Sequence, residues 1–329
     1  IKKRWLLSAL FLGLTFWTYQ GAKMFTPLII LSYLFFYKPD IKKLFKPFLL
    51  LLLLLLPIVF GFSQQSGRLR VFSVFSYTRP IEIIEKVSLQ DKYNKLWQLM
   101  FHTELLDQTR GIVQRFLNHF SPRYLFFEGD WSNPRHTTEY QGYFYLIEIL
   151  TIIIGFTVTR DKFLLLWAIA AVLPAAMSRD IVSGVRSLPL VIPLIILSGL
   201  GLQKLSQNKI ILSLLITLYL SLFVRYLDLY YVHNHKFAAS HWSYAYKPAM
   251  QIILREQDKY QKIVFTNKLG QPYIYLLFYN QIDPQRFQSQ QIVQGSSVGD
   301  VGEVTNFEKY EFRDIYWPKD RSLVSTLFI

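Results

Sequence analysis

The 329-residue chain contains no cysteine, which excludes disulfides, thiolate metal sites and a cysteine nucleophile but says little about redox compartment. It also lacks a glycine-rich phosphate loop, a Gly-x-Ser-x-Gly elbow and a His-Glu-x-x-His pair, so soluble nucleotide chemistry has no motif to rest on. Acidic residues are few: 22 Asp and Glu stand against 36 Lys and Arg, a formal charge of +14. That excess invites nucleic acid as a partner, yet many of the cations flank apolar blocks instead of forming a basic stripe. Residues that orient and anchor membrane spans are placed this way, and no nucleic-acid partner is expected. The opening residues lack the charged, apolar and small-residue pattern of a signal peptide. The chain starts on Ile1, stops on Leu327-Phe328-Ile329, and reads as part of a longer protein.

What the chain does have is hydrophobicity in long blocks. Hydrophobic residues make up 52% of it, and a soluble core would interleave them with polar ones at helical or strand period. Here Leu49 to Leu56 are unbroken leucine. At about 1.5 Å per residue, about 20 such residues cross a hydrocarbon layer of about 30 Å. Seven candidate spans result: Trp5–Thr18, Met24–Tyr37, Phe48–Ser63, Gly142–Thr159, Phe163–Ser178, Leu188–Gln203 and Ile210–Tyr226. Several are short for a full crossing, so tilt, bilayer thinning or partial insertion is expected. Pro27, Pro57, Pro174, Pro189 and Pro193 lie in or at the ends of these spans, where packed neighbours can satisfy freed carbonyls.

The expected fold is a multi-pass α-helical membrane protein with an outer amphipathic helical loop and a small C-terminal α/β domain. Residues 1–63 form three spans, 64–141 an extracytoplasmic loop, 142–228 four spans, and 229–329 an extracytoplasmic α/β domain cut short at its end. Lys2, Lys3, Arg4, Lys38, Lys42, Lys43, Lys46, Arg160, Lys162, Lys204 and Lys209 fall on one side of such a topology, which the positive-inside rule makes cytoplasmic. The stretch Ile81–Phe120 has helical periodicity. In the C-terminal part, Tyr246–Tyr260 reads as a helix, Lys262–Thr266 as a buried strand, Tyr273–Tyr279 as a helix, the residues after Asp283-Pro284 as another, and Tyr310–Asp314 as a strand.

Three clusters carry candidate chemistry. In Phe126-Phe-Glu-Gly-Asp-Trp-Ser-Asn-Pro-Arg-His136 with Glu139, Gly129 and Asn133-Pro134 are turn formers. The segment therefore reads as a tight outer loop presenting Glu128, Asp130, Arg135 and His136 together. Arginine offers a planar fork for phosphate oxygens and histidine can donate or exchange a proton; the other reading is a membrane-edge loop whose charges face water. Tyr19-Gln20-Gly21-Ala22-Lys23 joins two spans, and Lys23 there is either a lipid-phosphate ligand or a snorkelling anchor. Arg186, with Arg179 and Asp180, lies at the mouth of a span and either binds an anion or pairs with Asp180. His233, His235 and His241 lack a carboxylate or cysteine at ligand spacing, so no metal site is expected.

Phe16–Pro27, Phe126–His136 and Val185-Arg-Ser-Leu-Pro189, in that order, resemble the GT-C membrane glycosyltransferases. The nearest branch is the bacterial relatives of protein O-mannosyltransferases and of the lipid A aminoarabinose transferase. Lys262–Tyr279 is similar to the outer α/β domain that closes many bacterial members. The resemblance implies an enzyme of the inner (cytoplasmic) membrane that moves a sugar from a polyprenyl-phosphate carrier to an acceptor protein, lipid or glycan on the outer face. It implies Lys23, Arg135, His136 and Arg186 as donor-phosphate ligands, with Tyr19, Gln20, Asp130, Asn133 and Glu139 lining the substrate cavity. No cofactor is implied, and the sequence neither demands nor excludes a divalent metal. The family's catalytic carboxylate lies in a first outer loop ahead of the Tyr19–Lys23 segment, so this chain is expected to be an inactive C-terminal portion. The alternative is a non-catalytic transporter or flippase of lipid-linked saccharides; internal pseudo-symmetry would favour it, and the sequence has none.

Overall fold

The computed structural model describes residues 4–61, 90, 96, 100–294 and 303–329. The chain divides into two compact units, Ile1–Val232 and His233–Ile329.

The first unit is helical, and each candidate span overlaps a helix, with Phe62 and Ser63 of the third lying outside the described residues: α1 (Trp5–Thr18), α2 (Ala22–Tyr37), α3 (Ile41–Phe60), then α4 (Glu104–Asn118), α5 (Ile147–Val158), α6 (Lys162–Ala176), α7 (Val191–Leu205) and α8 (Lys209–Asp228). The extra one, α4, falls within the stretch expected to be helical from Ile81 to Phe120; residues 81–89, 91–95 and 97–99 lie outside the described residues. Short polar side chains start several helices by accepting otherwise orphaned backbone N–H groups. Asp40 accepts from Lys42 at 3.0 Å, Asp161 from Phe163 at 2.9 Å, and Asn208 from Ile210 at 2.9 Å.

Length separates these helices into two classes. Among the described residues, three are long and apolar enough to cross a bilayer: Ile41–Phe60, Leu188–Leu205 and Lys209–Phe237, of 20, 18 and 29 residues. Trp5–Thr18, Ala22–Tyr37, Ile147–Val158 and Lys162–Ala176 are shorter apolar helices. The expectation of seven spans therefore reduces to three full-length helices and four short ones. At about 1.5 Å per residue a helix of 12–16 residues falls well short of about 30 Å.

Packing in this unit depends on small residues. Helix α6 is central, with Ala171, Val172, Ala175 and Ala176 all 0% exposed. Helices α5 and α7 approach so closely that Thr151 and Ser198 hydroxyls bond across the interface at 2.8 Å. Trp17, near the end of α1, donates to the Leu54 carbonyl of α3 at 3.1 Å, so these two helices run side by side.

The second unit holds a five-stranded sheet of order β2-β3-β4-β1-β5. Strand β1 (Lys262–Phe265) is parallel to β4 (Tyr310–Phe312) and to β5 (Thr326–Phe328), while β3 (Glu303–Phe307) is antiparallel to β4 and to β2 (Ile292–Gln294). The buried run Ile263-Val264-Phe265 fits a central strand flanked on both sides. Helices Tyr246–Glu256, Pro272–Tyr279 and Pro284–Gln290 accompany the sheet, and Met250, Ile253, Ile263 and Leu276 form a fully buried core between layers. The apolar ending Leu327-Phe328 belongs to edge strand β5, in register with Ile263 and Val264.

Candidate functional site

Contacts between loops assign ends to the helical unit. At one end the Tyr37 hydroxyl donates to Asp161 at 2.7 Å, joining the α2–α3 and α5–α6 connections. At the other end lie the α1–α2 turn, the segment 119–146, the connection 177–190 and the end of α8, where Arg225 donates to Gln141 at 3.2 Å. The three motif-bearing segments thus share the second end.

Asp130 organises that end. Gly129 adopts φ +63°, a conformation that favours glycine, and turns the following carboxylate inward until Asp130 is only 1% exposed. Its Oδ1 accepts from the Ser132 hydroxyl at 2.8 Å and the Asn133 N–H at 3.1 Å. Its Oδ2 accepts from the Gly184 N–H at 2.8 Å and faces His136 Nδ1 at 3.1 Å. One buried carboxylate therefore closes its own loop and fastens it to the connection that carries Arg186. The Ser132 hydroxyl shares its one proton between Asp130 Oδ1 and the Val182 carbonyl, each at 2.8 Å, and Tyr143 donates to the His136 carbonyl at 3.2 Å.

A second tie comes from His119, which is fully buried. Its Nε2 accepts from the Ser183 N–H at 3.0 Å, so Nδ1 carries the proton and donates to the Arg115 carbonyl at 2.7 Å. Beside it, Tyr124 bonds Ser187 at 2.6 Å, and Ser187 donates on to Ser183 at 2.8 Å. Burial holds the Tyr124 hydroxyl far above its usual range, so it stays a donor. Burial also lowers the His119 pKa, against smaller raising effects from the Arg115 carbonyl and Asp130. The unfolded chain, titrating near the ordinary 6.5, then binds more protons than the folded one just below that value. Stability is full above pH of about 6.5 and falls as pH drops from there toward the depressed folded value, by at most about 1.4 kcal/mol per pH unit. His119→Gln is expected to flatten this slope; melting temperatures of both proteins at pH 8 and pH 5.5 check it, and parallel losses would refute it.

The sequence-expected residues divide into those brought together and those that are not. Tyr19, in the α1–α2 turn, has its pKa raised by burial, lowered by Arg186 and raised by Asp180, so it lies within the field of both. Gln20 has its Oε1 buried without a hydrogen-bond partner, and Lys23 is half-buried in the first turn of α2. Arg186 is half-buried and ion-paired to Asp180, with Ser178 Oγ a further acceptor at 3.4 Å. Of the two readings of Arg186, the local pair is the one adopted here.

The expectation that Glu128, Asp130, Arg135 and His136 are presented together needs correction. Asp130 points inward because four donors converge on it. Glu128 is exposed and ion-paired to Arg123 at 2.6 Å. Arg135 is exposed and folds back on Asn133, whose Oδ1 accepts from its Nε at 3.1 Å. Glu139 accepts from its neighbour Tyr140. The His136 side chain is 32% exposed, with the buried Asp130 carboxylate facing its Nδ1 at 3.1 Å. A carboxylate bonded to one imidazole nitrogen sets ring orientation and leaves the other nitrogen for a ligand or a proton.

His119, Ser183 and Gly184 escaped the sequence reading, since a lone histidine and a Ser-Gly pair 64 positions later carry no spacing signal. Among the described residues no group of three His, Asp or Glu gathers as a metal site. Comparisons with protein-family models, with curated proteins and with solved structures found no match.

Proposed function

We propose that this chain belongs to a membrane glycosyltransferase that takes a sugar from a polyprenyl-phosphate carrier and gives it to an acceptor on the outer face. The observation that supports this reading most is the meeting of Tyr19, Asp130–His136 and Arg186 at one end of the bundle, contributed by three separate segments. A carrier whose tail stays in lipid needs cations at the depth of its phosphate. In this reading the basic end bearing Lys38, Lys42, Lys43, Lys46, Arg160 and Lys162 is cytoplasmic, and the His136 end faces outward.

Arg186 leaves Asp180 for the arriving phosphodiester, whose two free oxygens share one negative charge and match the guanidinium fork. His136, braced by Asp130, donates to the same phosphate, and the orphan Gln20 Oε1 accepts from a hydroxyl of the sugar. The acceptor oxygen bonds to the sugar's anomeric carbon as the bond from that carbon to the phosphate oxygen breaks. The leaving phosphate keeps the electron pair, and the cations stabilise its developing charge. The acceptor's proton goes to a carboxylate that the resemblance places ahead of Tyr19–Lys23.

Binding tests this without requiring turnover. Protein in lipid nanodiscs is titrated with a polyprenyl phosphate and with the matching polyprenol. Arg186→Gln is expected to weaken phosphate binding about 10- to 100-fold, the weight of one charge-assisted hydrogen bond; Asp180→Asn is expected to strengthen it by freeing the guanidinium. Equal binding of phosphate and alcohol, or no response to either substitution, would sink the proposal. Carrier movement across a liposome membrane by the purified chain would favour the transporter instead.

A further inference from the structure

A cavity of about 490 Å³ lies between α1, α2, α3 and the start of α6, in the half of the bundle opposite the His136 end. Its walls are aliphatic and aromatic: Ala9, Leu12, Ile29, Phe48 and Trp167 among others, with Tyr33 contributing a ring to an edge-to-face contact with Trp5. Arg4 is the one charged residue among those lining it. Arg4 is exposed, caps α1 without a side-chain cap bond, and has no ion-pair partner among the described residues. The positive ends of two helix dipoles, α1 and α3, lie on the same side, and Lys42, Lys43 and Lys46 follow on the first turns of α3. Of these, Lys43 is engaged by Asp40 at 3.6 Å.

From this geometry we infer that the cavity binds an anionic phospholipid, one acyl chain between the helices and the headgroup phosphate at Arg4. Charge complementarity decides the occupant. An apolar slot of this volume accepts any chain of suitable length, but a free guanidinium at its mouth, set among helix N-termini and lysines, rewards a negative headgroup. Access is from the bilayer itself, because just 11% of the spanning window of α3 is buried and this helix forms one wall. A basic leaflet-facing surface attracts anionic lipid in any case; what the cavity adds is a fixed seat for one molecule. The site is distinct from the one proposed for the sugar carrier: it opens at the other end and uses none of Tyr19, Asp130, His136 or Arg186.

The test is native mass spectrometry of detergent-purified protein exposed to phosphatidylglycerol or to phosphatidylcholine with identical acyl chains. The unaltered chain is expected to retain one phosphatidylglycerol, with about a fivefold preference over phosphatidylcholine, the contribution of one interfacial cation. Arg4→Gln should erase the headgroup preference while leaving chain binding, since this exposed residue makes no ion pair whose loss could unfold the protein. Ala9→Phe should fill the slot and abolish retention of both lipids. Equal retention of the two lipids by the unaltered chain overturns the inference, as does an unchanged preference in Arg4→Gln. A cavity filled by a second copy of the chain, seen as a lipid-free dimer, overturns it too. Arg186→Gln is expected to leave phosphatidylglycerol retention unchanged, so failure here and failure of the sugar-carrier reading are told apart.

Discussion

Replacing Asp130 with alanine is expected to destabilise the helical unit by about 3–5 kcal/mol and to free the connection that carries Arg186. The carboxylate is buried and accepts from a hydroxyl and two backbone N–H groups, besides facing His136. Removing it leaves the buried Gly184 N–H without an acceptor, at about 1–3 kcal/mol, whereas the Asn133 N–H keeps the Asp130 main-chain carbonyl at 3.0 Å. Losing the charged partner of a packed polar network falls in the same range. Asp130→Asn keeps the shape but turns a donor toward one side of the cluster. The His136 ring can adapt by presenting an unprotonated Nδ1, whereas the Gly184 N–H cannot become an acceptor, so an intermediate loss is expected. Thermal unfolding in detergent gives the global effect. Limited trypsin digestion gives the local one, since Arg179 and Arg186 lie on the freed segment and cleavage there should accelerate. An alanine variant that melts with the parent protein and resists trypsin equally would show that Asp130 is not the fastening described.

The second large effect is expected at the α5–α7 interface. A Cβ added to Gly155 would lie 2.0 Å from the Leu197 carbonyl oxygen, and one added to Gly201 would lie 1.9 Å from the Thr151 carbonyl oxygen. Both obstacles are backbone of the facing helix, so no side chain can swing aside and the helices must separate. Separation also breaks the 2.8 Å bond between Thr151 and Ser198. Overpacking costs about 1–3 kcal/mol or more per site, and close approach through small residues is a main source of helix association in lipid. Gly199, on the same helix, has nothing within 4 Å of its would-be Cβ. Gly199→Ala is therefore expected to be neutral or stabilising by up to about 1 kcal/mol, as helix propensity dictates. The three single alanine variants, compared by resistance to denaturing detergent, test the interface against its own control. If Gly201→Ala proves no worse than Gly199→Ala, the close contact carries no weight.

The glycine pair also shows where sequence reading stops. Long apolar blocks place helices because burial and backbone hydrogen bonding in such runs leave few other options. Gly155 and Gly201 within those blocks look like weak points of a helix until a facing carbonyl is known to pass beside each. The count of crossing helices depends in the same way on three dimensions. The blocks at Trp5–Thr18 and Gly142–Thr159 are apolar enough, but the helices formed within them, Trp5–Thr18 and Ile147–Val158, run for only 14 and 12 residues.

In the C-terminal unit the sequence supplied the helix beginning at Tyr246, the buried strand at Ile263 and the strand at Tyr310, because each carries a strong local pattern. The short strands Ile292–Gln294 and Thr326–Phe328 carry no comparable local pattern. They exist because β1 and β3 offer them edges to pair with.

By itself the sequence determined that apolar helices dominate the chain, that basic residues gather beside them, and which three segments concentrate charged and turn-forming side chains. Local chemistry decides such things: hydrophobic run length, capping residues, and glycine at a left-handed turn. The tertiary structure alone decided that Asp130 turns inward to hold Gly184, that His119 locks Ser183, and, of the two readings of Arg186, that it rests on Asp180. The ties of Asp130 to Gly184 and of His119 to Ser183 depend on donors and acceptors 54 and 64 residues apart reaching one another in a space closed to water. In such a space an unmet hydrogen bond is costly enough to fix where each side chain points.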